Sequence, residues 1–342
     1  MTAAARKKMA LLAVLLAPLA CMSSGSSGNA GAGGATGAGG ATGAGGGGAS
    51  PETPHKLLLR DEAQSMVSYV EIGNPAAGWH ITVPYGRDLQ LVGHDRFLIG
   101  TNNGWEERSL ADGSPVVQQT GFPGTLSAHR LRDGLTVLAG VNWQGAAGVA
   151  LAEVDAAGAV THTIDFPDFS FVRLVRQTQA GTFLVTVDDA VIESDAAGNI
   201  LWRADVPRVN QTASHVWQAL RLATGDTIVS TGYAASLQIY DANQVLSRTI
   251  TGPPDVVPNQ YVGFQILPGG NYLVANWLGH SGEVMGVQLL EYDPEGALVW
   301  SYRPDPMTES LSLHHVIVLD HLDTSQLYVD DTTGLLVPVA PP

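Results

Sequence analysis

"ESDAAGNILWRAD", Glu193–Asp205, reads as a strand end, a tight acidic turn and a new apolar strand that opens on Ile200, Leu201 and Trp202. The phrase returns as "EYDPEGALVW", Glu291–Trp300. In such a turn the Asp side chain accepts hydrogen bonds from nearby backbone amides, and Gly supplies the positive φ of the bend. Looser copies stand at Asp112 ("SLADGSPV"), Asp155 ("EVDAAGAV") and Asp241 ("IYDANQVL"), with a weaker one near Asn74. The five clear turns, at Asp112, Asp155, Asp195, Asp241 and Asp293, are spaced 43, 40, 46 and 52 residues apart. A repeat of that length fits a four-stranded propeller blade.

The remainder of the unit repeats as well. Ahead of the turns lie two apolar strands joined by a Gly hairpin, as in "LRDGLTVLAGVNW", "TQAGTFLVTV", "LATGDTIVSTG" and "LPGGNYLVANW". In one copy "HVWQALRL" is the inner strand, "DTIVST" the second, "SLQIYDA" the third and "QVLSRTI" the outermost. No segment after Lys56 carries a helical period. The N-terminal "KLLLRDE", "SYVEIG" and "WHITV" supply the outer strands of a blade that lacks its inner one, and "HHVIVLD" with "SQLYVDD" supplies the missing part. The expected fold is therefore an all-β propeller of six four-stranded blades, closed by terminal strands that share one blade. Seven blades is the alternative, if "GLLVPVA" begins a sheet of its own.

The chain opens with "MTAAARKKMALLAVLLAPLAC": a basic stretch, an apolar run and a small residue before Cys21, the only cysteine. That pattern is a signal peptide over residues 1–20, too short for a good membrane span. It is similar to the bacterial lipobox, in which the cysteine carries diacylglycerol, although Pro18 stands where Leu is usual. The resemblance implies lipidation at Cys21 and, with Met22 following, the outer membrane of a Gram-negative cell envelope. Residues 21–54 are nearly all Gly, Ala, Ser and Thr after the cysteine and read as a disordered tether of about 30 Å root-mean-square reach. The propeller occupies 55–342. Removal of the signal takes away Arg6, Lys7 and Lys8, shifts the formal charge from −15 to −18 and leaves Lys56 as the sole lysine. So acidic a body repels phosphate backbones, which argues against nucleic acid as a partner. The expected partners are the membrane, through Cys21, and an extracellular protein, a glycan or a small anionic ligand. The body is expected to be a monomer.

The repeats "ESDAAGNILWRAD", "LPGGNYLVANWLGH" and "LLEYDPEGALVWSYRPD" resemble secreted bacterial propellers of the pyrroloquinoline-quinone-like and arylsulfotransferase-like kind. The likeness covers residues 56–342 and speaks for the fold. Propeller sites lie over the central channel, so the residues weighed are inner-strand polars: Arg87, His129, Arg173, Arg176, His215, Gln265, His314 and His315. A ring of His and Arg suits an anion. The arylsulfotransferase likeness implies a channel histidine as sulfuryl acceptor, a part open to His129 or His315, though neither sits in that family's motif. Structural capping of strand ends explains the same residues. No cofactor is expected, since the vicinal cysteines and carboxylate calcium site of quinone enzymes are missing.

No metal site is evident either. His314 and His315 are adjacent and face opposite sides of a strand, while His280 and Glu283 share a loop that reads either as solvated or as part of a weak cation site, the solvated loop being favoured. Trp105, Trp143 and Trp277 close matching phrases and serve either as blade packing or as an aromatic rim that stacks a sugar or an aromatic ligand. Two readings of function follow: a lipid-anchored binding scaffold without catalysis, and a sulfotransferase-like or hydrolytic enzyme acting in the channel.

Overall fold

The repeat closes into six antiparallel blades. The computed structural model describes residues 56–207, 216–256, 260–280, 286–303, 312–330 and 334–340, all within one compact unit, Ser50–Pro342. The inner strands are Leu313–Val318 in blade 1, Arg87–Gly93 in blade 2 and Thr125–Arg130 in blade 3. Blades 4, 5 and 6 use Val172–Gln177, Gln218–Arg221 and Tyr261–Ile266. In blades 2–6 the four strands follow in chain order from the axis outwards. Blade 1 is shared between the termini: Leu313–Val318 pairs antiparallel with Lys56–Asp61, setting Leu57 opposite Val318.

The turn that announced the fold does what its residues require. Asp195 Oδ1 accepts from the amides of Ala197 and Asn199, both at 2.9 Å, and Gly198 sits at φ 84°. Asp155 and Asp241 accept from their own turn amides in the same way. The hydrogen bonds from the Asn199 side chain and amide hold the Asp195 carboxyl below its ordinary range. In blade 5 the left-handed position belongs to Gln244, φ 71°, so the bend forms there despite the missing glycine. Just beyond the turn, Trp202 packs between blades 4 and 5 with Leu184, Val191, Ala219 and Tyr240. The Arg221 guanidinium lies 5.1 Å from its ring.

The sequence assigned "SQLYVDD" to the shared blade, and the structure corrects that. Leu327–Asp330 pairs with Leu336–Val339 as a hairpin and meets the inner strand of blade 2 at Leu327–Val92. "GLLVPVA" is thus half of this hairpin rather than the start of a seventh blade. The hairpin reaches over the channel: Gln90 of blade 2 donates to Tyr328 O, Arg132 of blade 3 to Asp330 O, and Leu335 bridges to Ile266 of blade 6.

Candidate functional site

All six inner strands begin at the same end of the ring, called here the mouth. Deeper in, they converge on a buried polar centre. Arg176 donates two hydrogen bonds to Asp88, at 2.8 and 3.0 Å, and its Nε lies 2.9 Å from Asp330 Oδ2 on the hairpin. Ser127 donates to Asp88 at 3.0 Å, and His129 Nε2 stands 4.0 Å from Asp330. Asp88 is bulged out of the ladder at φ 63°, a conformation an L-residue keeps only where its surroundings impose it.

Burial sets the protonation states of this centre. It would raise Asp88, but Arg176 together with His129 and His315 outweighs that and leaves the carboxyl below its ordinary range. Burial pushes Asp330 up to about 6, Arg176 opposing and Asp88 adding to the rise. The imidazoles are held neutral. Burial and then Arg176 take His129 down to about 3, and burial takes His315 down to about 4. One guanidinium therefore serves two carboxyls: Asp88 stays charged, and Asp330 takes a proton only as the pH falls through about 6.

His129, Arg176 and His315 line a cavity with Gln90, Gln218 and Asp330, closed on one side by the hairpin residues Tyr328 and Leu336. Its free volume is about 30 Å³, room for water and not for an aryl sulfate. Three glutamines tie blades together around it. The Gln90 side chain accepts from Arg130 N, Gln218 from Phe264 N and Gln265 from Val318 N. Gln265 thus spends its amide oxygen on the scaffold.

The mouth is different. Arg173 is held between two rings, its guanidinium carbon 4.4 Å from Phe171 and 4.5 Å from Trp217, and its buried Nε has no hydrogen-bond acceptor among the described residues. Burial and then the neighbouring Arg87 charge lower Arg173 to about 10, still cationic at neutral pH. Arg87 is a quarter exposed and lies 3.9 Å from Glu62. Arg60, beneath, donates to Gly86 O and Met66 O. Buried His314 packs its ring 5.4 Å from Trp217 and is held well below its ordinary value by burial and by Arg60 and Arg87. Three guanidiniums here stand against two acidic residues, Asp61 beside Arg60 and Glu62 near all three, a locally cationic spot on an acidic protein.

The remaining candidates fall apart spatially. Trp105 is core. Trp277 is buried near the mouth, edge-on to Tyr233 at 5.7 Å. Trp143 covers Gly140, where a Cβ would stand 2.2 Å from the indole, and borders a cavity of about 440 Å³ with Phe122, Pro123 and Thr163. A single aromatic rim is therefore not formed. His280 is exposed and 3.4 Å from Glu62 Oε2. His215, Glu283 and Cys21 lie outside the described residues. Among the described residues no group of three or more His, Cys, Asp or Glu is arranged to hold a metal, and no helix is long and apolar enough to cross a membrane. Sequence reading missed Asp88, Asp330, Phe171 and Trp217. Their one signal was position, each being in or beside a strand that faces the axis.

No family profile matches the chain, and no curated protein does. Solved propellers match in shape. A protein of unknown function from Bacteroides caccae superposes with a TM-score of 0.62 at 19% identity, covering 77% of this chain and 98% of its own. A virginiamycin B lyase from Staphylococcus aureus, solved with quinupristin, gives 0.49 at 8% identity, over 82% of this chain and 88% of its own. At 19% identity the first of these likenesses shows the fold.

Proposed function

We propose that the protein is a lipid-anchored binding scaffold of the cell envelope whose propeller takes a small anionic ligand at the mouth of its channel. The observation that carries this reading is Arg173: a buried guanidinium nitrogen without an acceptor among the described residues, on a side chain held by Phe171 and Trp217, next to a second arginine. A carboxylate or sulfate placed between Arg173 and Arg87 would supply the missing acceptor and offset the mutual repulsion of the two cations. The stacked rings fix the guanidinium plane in advance, which lowers the ordering cost of binding. Cys21 supplies the anchor, and its replacement by Ala is expected to move the protein out of the membrane fraction.

Titration of the full chain with sulfate and with benzoate, read by calorimetry, tests the mouth. Arg173→Gln removes a charged donor worth about 1.5–3 kcal/mol, so binding is expected to weaken by about tenfold or more. Equal binding by the variant and the parent would overturn the assignment. His129→Gln, which changes the inner centre, is expected to leave anion affinity unchanged.

A further inference from the structure

The outer strands carry a feature that neither the core nor the mouth explains. Directly after the acidic turn, five of the six blades leave large aliphatic side chains in solvent. Val117, Val160, Leu201, Val245 and Leu298 are 37%, 41%, 57%, 58% and 40% exposed, one for each of blades 2 to 6. Core packing explains why the beginnings of these strands stay open. The turn of the following blade covers only the middle or far part of the strand: Gly198 stands against Ile164, the fifth residue of Val160–Phe166, and Gly296 against Ile250, the fifth of Leu246–Thr251. It does not explain why the open positions are aliphatic. Together they form an apolar rim around one end of the ring.

Strand direction says which end. Inner strands run away from the mouth and each next strand returns, so the third strand and the outermost one meet in a turn at the end opposite the mouth. The rim residues flank those turns. Lys56 lies at that end too, because it opens the second strand of blade 1, where its carbonyl accepts from Leu319 N just past the end of the inner strand. The chain that leads back to Cys21 therefore enters the propeller on the rim side.

We infer that the apolar rim is a membrane-docking surface that rests on the lipid headgroup region and points the arginine mouth away from the bilayer. The inference rests on the anchor reading of Cys21. On the sequence reading of residues 21–54 as a tether of about 30 Å reach, the rim would sit at millimolar effective concentration near the lipid, where a shallow apolar contact too weak to act alone becomes effective. The acidic turns Asp112, Asp155, Asp195, Asp241 and Asp293 flank the rim and disfavour anionic lipid, so the fitting surface is zwitterionic.

The test uses the lipidated full chain in phosphatidylcholine vesicles. A lipidated Cys21 has no free thiol, so Leu201→Cys on the rim and Tyr85→Cys, 71% exposed near the mouth, each give one labelling site. Iodide quenching of a fluorophore at position 201 is expected to fall at least about threefold on vesicles, because burial at the headgroup boundary excludes the aqueous quencher. Quenching at position 85 is expected to stay unchanged. Adding Val245→Asp and Leu298→Asp, both at exposed positions, should restore quenching at 201. Equal quenching at both labels on a lipidated chain would overturn the rim while leaving the anchor intact. A second free thiol, at Cys21, would overturn the anchor and the docking with it. Protection at 201 that follows protein concentration without vesicles would assign the rim to a second copy of this chain and overturn the membrane reading.

Discussion

Asp88→Asn is expected to destabilise the propeller by about 3–5 kcal/mol, seen as a fall in the urea midpoint at an unchanged slope. Asp88 is fully buried, and Arg176 is only 3% exposed. The substitution keeps the shape but removes the charge that two guanidinium hydrogen bonds address, leaving Arg176 in the interior with Asp330 as its remaining carboxylate. Asp330, with its carboxyl at about 6, is mostly ionised at neutral pH and still offsets the Arg176 charge, which sets the lower end of the range. The companion Asp88→Asn with Arg176→Met removes both charges, and a buried pair replaced as a whole often costs little. The double variant is therefore expected to be more stable than the single one. A single variant within about 1 kcal/mol of the parent would mean that water reaches the centre and solvates Arg176.

Acidification is expected to unfold the protein steeply, and the sign follows from which state binds protons. His129, His314 and His315 are all pushed below their ordinary value, to about 3 for His129 and about 4 for His315. Between pH 6.5 and 4 the unfolded chain protonates these three imidazoles while the folded one does not, so stability falls as pH falls. Asp330 acts in the opposite sense, since its raised carboxyl takes a proton in the fold near pH 6 and in the unfolded chain only near 4. The net difference is about two protons, or about 2–3 kcal/mol of stability lost per pH unit near pH 5. Urea midpoints measured from pH 7 to 4.5 read this slope. His129→Gln should reduce it by about one proton, and Asp330→Asn should increase it by about one. A flat profile would show that the imidazoles are solvated rather than buried.

How far the sequence reached depended on whether a feature repeats. The blades were legible because the Asp-x-x-Gly turn and the Trp after it are copied, and each copy stands where local chemistry puts it. The separation of His314 and His315 was legible from strand alternation: His314 packs on Trp217 beneath the mouth arginines, and His315 lines the inner cavity. Asp88 and Asp330 were not legible. Nothing local distinguishes them from the many turn acids, and their partner Arg176 is 88 residues from the first. The hairpin escaped for the opposite reason. Its strands look like blade strands, and only the limited room in blade 1, filled by a single returning strand, sends them over the channel. The paired rings around Arg173 come from two blades, so spacing along the chain carried no hint of them.

The pairing of Leu57 with Val318 also sets an order of events. The first strands made have no inner neighbour until almost the whole chain exists, so the ring cannot shut during synthesis. Blades 2 to 6 can each form from contiguous sequence, with short loops to close. The last step is a long-range one, and contacts so distant along the chain make for slow folding. Until it occurs, Lys56–Asp61 offers an open edge to any passing strand. The latch that makes the finished ring durable is thus also its most exposed moment, and the rate of its closure is where assembly would be won or lost.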